Sequence, residues 1–247
     1  MAVPSTTCIV IPTYNEKDNV EPLVRGIEGE RIPGLKVLFV DDSSPDGTSE
    51  VIRSVAATRP WVEVLQRRGK QGIGSAYREG FRKALSDPGT EAVVEMDSDL
   101  QHPPAAIPDL LRALGQGADV AVGSRYVAGG GVPRWSLFRR WVSRGANAYA
   151  RWVLGLEVRD ATSGLRAYRR KAAEEIANAD LPAKGYEFQV ASLYCLKEDY
   201  RVTEVPFVFG SRAKGESKLG VADGLRFFVR VPRIAIRGRK KRRHGAR

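Results

Sequence analysis

The chain has 247 residues, 43% hydrophobic and 28% charged, which is enough to enclose a full core and too apolar for a disordered chain. Its two cysteines, Cys8 and Cys195, exclude a disulfide framework and any zinc-finger spacing, and they fit a reducing, cytoplasmic setting. Of the formal charge of +11, seven units come from Lys and Arg between Arg237 and Arg247, leaving +4 elsewhere, so the basicity is largely a tail.

The N-terminus carries no charged-then-apolar leader, and no stretch reaches the roughly 18–20 continuous apolar residues of a membrane span, so neither a secreted nor an integral protein is expected. Cys8 to Pro12 reads as a buried strand, followed by Thr13-Tyr14-Asn15-Glu16 and a helical pattern through Val20, Leu23, Val24 and Ile27. Lys36 to Val40 is a second strand, ending at Asp41-Asp42-Ser43-Ser44-Pro45-Asp46-Gly47-Thr48 before another helix. Val62 to Leu65 is a shorter strand, and Gly72-Ile73-Gly74-Ser75-Ala76 opens a helix towards Leu85. Ala92 to Met96 and Asp119 to Val122 complete an alternation of strands and helices. That alternation predicts an α/β fold, a mostly parallel sheet covered by helices on both faces. Ligands bind such sheets at the carboxyl edge, so Tyr14, Glu16, Asp42, Asp97, Asp99 and Arg125 should converge on one crevice. The glycine-rich Gly69 to Ser75 stretch lacks the order of a P-loop and reads as a tight loop approaching a nucleotide.

Within Glu95-Met96-Asp97-Ser98-Asp99-Leu100-Gln101-His102-Pro103-Pro104, the two carboxylates alternate by two. If strand geometry continues through Ser98, Asp97 and Asp99 face the same way and can share one hard cation, with Gln101 adding a neutral oxygen. Such a set leaves coordination positions for a diphosphate, which suits Mg²⁺ or Mn²⁺. The competing reading is a polar turn in which Asp99 caps the helix after Pro103-Pro104.

After Gly123-Ser124-Arg125-Tyr126 the alternation stops. Gly129-Gly130-Gly131 is a flexible loop, and Trp135 to Leu154 reads as an amphipathic helix whose Arg139, Arg140, Arg144 and Arg151 mark a solvated face. Asp160 to Tyr168 is a polar turn leading to an apolar segment. Helices near Lys171 to Ala179 and Tyr186 to Lys197, a last strand from Arg201 to Phe209, and a basic loop from Arg212 to Lys218 follow. Residues 1–220 are expected to form one catalytic domain. Residues 221–236 form an amphipathic segment, broken at Pro232, that meets a membrane surface or packs on the domain, and 237–247 form a disordered basic tail.

Ile11 to Glu16, Val40 to Thr48, Glu95 to His102, Gly123 to Tyr126, Ser143-Arg144-Gly145-Ala146-Asn147 and Gly215-Glu216-Ser217-Lys218-Leu219 occur in the order of a known family's motifs. Together they resemble the inverting family 2 glycosyltransferases of the GT-A fold, and within them the polyprenyl-phosphate (dolichyl-phosphate) mannose synthases. The resemblance covers about residues 7 to 220. It implies that Pro12, Tyr14, Glu16, Asp41 and Asp42, with Asp97, bind the donor GDP-mannose, and that Asp97, Asp99 and Gln101 hold the metal. It further implies that Arg125 and Arg139, or Arg140 beside it, grip the acceptor phosphate with Ser143, Arg212 and Lys218, and that Asp97, Asp99 and Arg125 carry catalysis. The acceptor is then a polyprenyl-phosphate lipid, reached by a peripheral protein on the cytoplasmic face of a membrane, with room for a membrane-spanning partner protein and no nucleic-acid ligand. Ser98 stands where relatives often have Ala, a change expected to be silent, and the C-terminal membrane helices of some relatives are missing.

A phosphate acceptor is already largely dianionic and needs cations rather than a general base, which fits the wealth of Arg after Gly123. Direct displacement would invert the anomeric centre. Two other readings compete: glucosyl transfer from UDP-glucose to the same lipid, and a basic nucleic-acid-binding protein, which leaves the ordered carboxylates at strand ends unexplained.

Overall fold

A computed structural model describes residues 2–181, 185–210 and 226–236. Strands β1 (Thr7–Thr13), β2 (Leu35–Asp41), β3 (Val62–Gln66), β4 (Ala92–Glu95) and β5 (Val120–Ser124) alternate with helices α1 (Lys17–Gly29), α2 (Thr48–Ala56), α3 (Ile73–Leu85) and α4 (Ile107–Gly115). Then come α5 (Leu137–Leu154), β6 (Arg166–Arg169), α6 (Arg170–Asn178), α7 (Phe188–Leu196), β7 (Val202–Pro206) and a helix over residues 226–236, here α8. The seven strands form one sheet in the order β3-β2-β1-β4-β6-β5-β7.

Every pairing is parallel except the two made by β6, which runs antiparallel between β4 and β5. This reversal was not foreseen, because the sequence marks only a polar turn leading to an apolar segment here and assigns no strand. Its consequence is positional. Since Arg166 pairs with Glu95 at the carboxyl end of β4, the preceding turn from Asp160 to Leu165 lies on the ligand-binding edge.

Alternate residues of each strand serve opposite faces, as period two requires. Cys8, Val10, Leu38, Val40, Val93, Val120 and Val122 pack under α3, α5, α6 and α7. Ile9, Ile11, Val37, Phe39, Val94 and Ala121 pack under α1, α2 and α4. At Gly80 a Cβ would lie 2.3 Å from Val10 Cγ1, so α3 sits on β1 more closely than any side chain allows.

The stretch expected to break at Pro232 is helical throughout 226–236. Proline removes the bond to the carbonyl four residues back, that of Phe228. This oxygen instead accepts from the Tyr149 hydroxyl of α5 at 2.8 Å. Val231 and Ile234 are buried in the core, whereas Phe228, Val229 and Ile236 are exposed. Arg230 pairs with the buried Glu187 at 2.7 Å. The tail from Arg237 and the Arg212 to Lys218 loop lie outside the described residues.

Cys8 is buried on β1, and burial pushes its thiol up to about 12, so it carries no thiolate at mild pH. Cys195 is half-buried. A disulfide reagent should therefore titrate one thiol in the folded protein and two in denaturant. Rapid labelling of Cys8 under native conditions would contradict the burial of β1.

Candidate active site

The carboxyl ends of β1, β2 and β4 each turn through a non-glycine residue with left-handed backbone: Asn15 (φ 55), Ser43 (φ 55) and Leu100 (φ 64). Such conformations persist where surrounding bonds hold them, and they concentrate at functional sites. The first two turns are stitched together. Backbone N–H groups of Asn15 and Glu16 donate to the Ser44 and Thr48 hydroxyls, both at 3.0 Å, and Glu16 accepts from Asn19 at 2.6 Å.

Asp41, a donor-binding residue in the resemblance, is fully buried and accepts from Thr13, Ser49 and both the hydroxyl and the N–H of Ser44, so its carboxylate closes the turn. Asp42 is held by buried Arg67 at 2.6 Å. Burial raises its carboxyl above the usual range against the pull of Arg67. Tyr14 lies under Lys70, whose Nζ is 4.7 Å from the ring centroid, so the glycine-rich loop reaches the turn that follows β1. Pro12 is half-buried beside them.

β4 ends at Glu95, before the aspartate pair, so strand alternation is not what brings the two together. A turn does so. Asp99 accepts from the Gln101 N–H at 3.0 Å rather than capping a helix, and the Asp97 N–H donates to His102 Nδ1 at 3.1 Å. His102 is buried edge-on against Phe207 and Phe209, at 5.8 and 5.6 Å between centroids. From α3, the Tyr77 hydroxyl donates to Asp97 Oδ1 at 3.1 Å, and its ring stacks on Phe188 at 5.7 Å. Gln101 donates through its amide nitrogen to the Gly210 carbonyl at 3.4 Å, so a cation would meet its amide oxygen. Ser98 is buried in this turn.

Loss of water raises the Asp97 carboxyl, His102 opposes this, and the Asp99 charge raises it further. Two carboxylates that repel each other across hard oxygen donors fit a divalent cation. Among the described residues no group of three or more His, Cys, Asp or Glu side chains converges.

Arg125, just beyond β5, is buried and faces Asp160, which is wholly inaccessible. Its Nε and Nη2 donate to the two carboxylate oxygens at 2.7 Å each, its N–H donates at 2.9 Å, and Nη2 also reaches Thr162 at 2.9 Å. Burial pushes the guanidinium pKa down, and Asp160 more than offsets this, so Arg125 stays charged. Tyr126, Trp135 and Phe209 surround it with ring faces at 5.4–5.5 Å.

Beside it opens a cavity of about 360 Å³ lined by Arg125, Tyr126, the Gly130-Gly131 loop, Val132, Pro133, Arg140, Arg144 and Val208. Arg140 is fixed to the Pro133 carbonyl at 2.9 Å, and Arg144 lies over the Tyr126 ring. Arg139 does not line the cavity and stacks on Trp135 at 4.1 Å. Ser143 accepts from the Tyr126 hydroxyl at 2.7 Å. Asn147 then ties α5 to the turn carrying Asp160, donating to Thr162 Oγ1 at 3.0 Å and accepting its N–H at 3.1 Å. The Ser143 to Asn147 block thus joins the cationic cavity to Arg125.

Residues 8–177 match the family described as Glycosyl transferase family 2. The chain belongs to glycosyl transferase family 2. It is 40% identical to the polyprenol monophosphomannose synthase of Mycolicibacterium smegmatis over 97% of this chain and 90% of that one. It is 42% identical to the undecaprenyl-phosphate mannosyltransferase of Micrococcus luteus over 85% of this chain and 86% of that one. Among solved structures, the mannosyltransferase PcManGT from Pyrobaculum calidifontis in complex with GDP-Man and Mn²⁺ shares the fold. Its TM-score is 0.58 at 20% identity, over 84% of this chain and 57% of that chain. For a family 2 transferase, the sheet and crevice agree with the GT-A architecture implied by the motifs.

Sequence reading missed Asp160, Tyr77, His102 and Arg67. The signal for Asp160 was present in Asp160-Ala161-Thr162-Ser163-Gly164, a polar cluster just before a buried strand. Only the reversal of β6 shows that it faces Arg125.

Proposed function

We propose that the chain transfers mannose from GDP-mannose to a polyprenyl phosphate with inversion, giving a β-mannosyl phosphate lipid and GDP. One observation supports the acceptor class above others: among the described residues three arginines and no carboxylate line the cavity, and Asp160, behind Arg125, is paired with it. An alcohol acceptor would need a carboxylate or histidine able to take a proton. A phosphate arrives deprotonated and needs cationic placement, which guanidinium forks supply.

In this reading Pro12, Tyr14, Glu16 and Asp42 hold the nucleoside, while Asp97, Asp99 and the Gln101 oxygen hold Mg²⁺ or Mn²⁺. When bound, the cation offsets the charge that grows on the departing diphosphate. Tyr77 and His102 keep Asp97 in position. Arg125, Arg140 and Arg144 take the acceptor phosphate, with Arg140 replacing Arg139, and they set one of its oxygens behind the anomeric carbon. That oxygen forms the new bond as the bond to the diphosphate breaks, so the configuration inverts. Among the described residues no helix is long and apolar enough to cross a membrane, and the protein meets its lipid from the surface.

The test is incubation with a panel of labelled nucleotide sugars and a short polyprenyl phosphate. Label from GDP-mannose should enter the organic phase. Label from UDP-glucose alone would assign the donor differently. Arg144→Gln should raise KM for the lipid phosphate about tenfold or more, the loss of one charge-assisted contact, with GDP affinity unchanged. A parallel loss of GDP binding would move the cavity to the donor side.

A further inference from the structure

We infer that the outward face of α5 is a membrane-docking surface, seated in the headgroup layer of an anionic bilayer. It deepens the lipid-phosphate reading by naming where the protein meets the lipid's membrane. On this helix Leu137, Phe138, Trp141, Val142 and Trp152 are 72%, 78%, 74%, 53% and 82% exposed. The side turned inward carries Asn147, Ala150 and Leu154. Phe138, Trp141, Gly145, Ala148 and Trp152 recur at spacings of three and four, so they form one stripe along the helix. The outward side of this helix, where a surface helix is usually polar, is thus largely apolar. A contiguous apolar stripe of this size on a soluble protein marks an interaction site.

Charge identifies the occupant. The helix carries Arg139, Arg140, Arg144 and Arg151 and no acid, which suits phosphate headgroups, and its two exposed tryptophans are the side chains that favour the membrane interface. A second copy would bring four arginines against four with nothing on α5 to neutralise them. The stripe continues onto α8, where Phe228 packs on Tyr149 at 4.9 Å and stays partly exposed beside Val229 and Ile236. Arg140 and Arg144 also line the phosphate cavity. A helix lying on the bilayer thus brings the cavity to the depth of a lipid phosphate, and the tail need not leave the membrane.

The experiment compares full-length protein with Trp141→Gln/Trp152→Gln in sedimentation with phosphatidylglycerol-containing vesicles, without polyprenyl phosphate, in salt high enough to screen the basic tail. The parent should bind, with tryptophan emission quenched by brominated lipid. The variant should bind about tenfold or more weakly, with unchanged melting temperature and GDP affinity. Equal binding of the two proteins would overturn the inference. So would a parent dimer by light scattering that the two substitutions convert to monomer, because a second copy would then cover the stripe. Transfer to a short, water-soluble prenyl phosphate without vesicles separates the two readings. If no nucleotide sugar supports it while vesicle binding still depends on the tryptophans, the acceptor assignment fails and the docking surface stands. If transfer proceeds and the variant binds vesicles like the parent, docking alone fails.

Discussion

Asp99→Asn is expected to lower mannosyl transfer by roughly a thousandfold, a loss of about 4 kcal/mol of transition-state stabilisation, with no loss of melting temperature. The two parts of this expectation have separate causes. Transfer falls because charge grows on the leaving diphosphate, and one of the two carboxylates proposed to hold the offsetting cation is gone. Stability holds because the bond that Asp99 Oδ1 accepts from the Gln101 N–H can be accepted equally by an asparagine oxygen. Neutralising Asp99 also relieves Asp97, whose carboxyl its charge holds up. Asp97→Asn should behave alike, since Tyr77 donates to an oxygen that asparagine retains. Chelation should reproduce both losses in the parent chain and add nothing to either variant. Near-normal turnover in either variant at a normal melting temperature would remove the metal from this pair.

The parts of this molecule that were legible in the sequence are those where one local signal has one structural meaning. Ile9-Val10-Ile11 and Val37 to Val40 are buried on both faces, and a continuous apolar run has few other uses. The aspartate pair was legible as a pair, although a turn through left-handed Leu100 aligns it, not a strand. What escaped depends on contacts distant in the chain. Asp41 and Asp42 are adjacent and chemically alike, yet one closes a turn and the other meets Arg67 across 25 residues of sequence. Arg166 looks like a surface residue and is fully buried, donating to the Ala161 and Gln189 carbonyls and the Ser192 hydroxyl. In α5 Arg139 and Arg144 do lie on the wet side, as charge spacing suggests, but they share it with apolar side chains. The arginines flank a stripe whose exposure shows only once Asn147, Ala150 and Leu154 are seen to face inward.

The Arg125–Asp160 pair should have the largest effect on stability of any site residue. Asp160→Asn leaves a guanidinium in the interior without its anion, and breaking one side of a buried ion pair costs about 3–5 kcal/mol. In a chain of this size that corresponds to a fall of roughly 6–15 °C in melting temperature. The loss reaches further than the pair, because the same turn donates its Arg159 and Asp160 N–H groups to Glu204 and its Thr162 N–H to Asn147 of α5. Arg125→Met should cost a similar amount by stranding Asp160. The double substitution Arg125→Met/Asp160→Leu should cost clearly less than the two singles added, since no uncompensated charge remains. Function should separate from stability here. Assayed well below its melting temperature, Asp160→Asn should lose kcat/KM for the lipid phosphate with GDP affinity intact, because Arg125 loses the bidentate anchor that aims its remaining donors. The double variant should be the more stable protein and the poorer transferase. Additive costs in urea titrations would show that the pair is not coupled as its geometry requires. Full transfer by the double variant would place the acceptor phosphate on other cations.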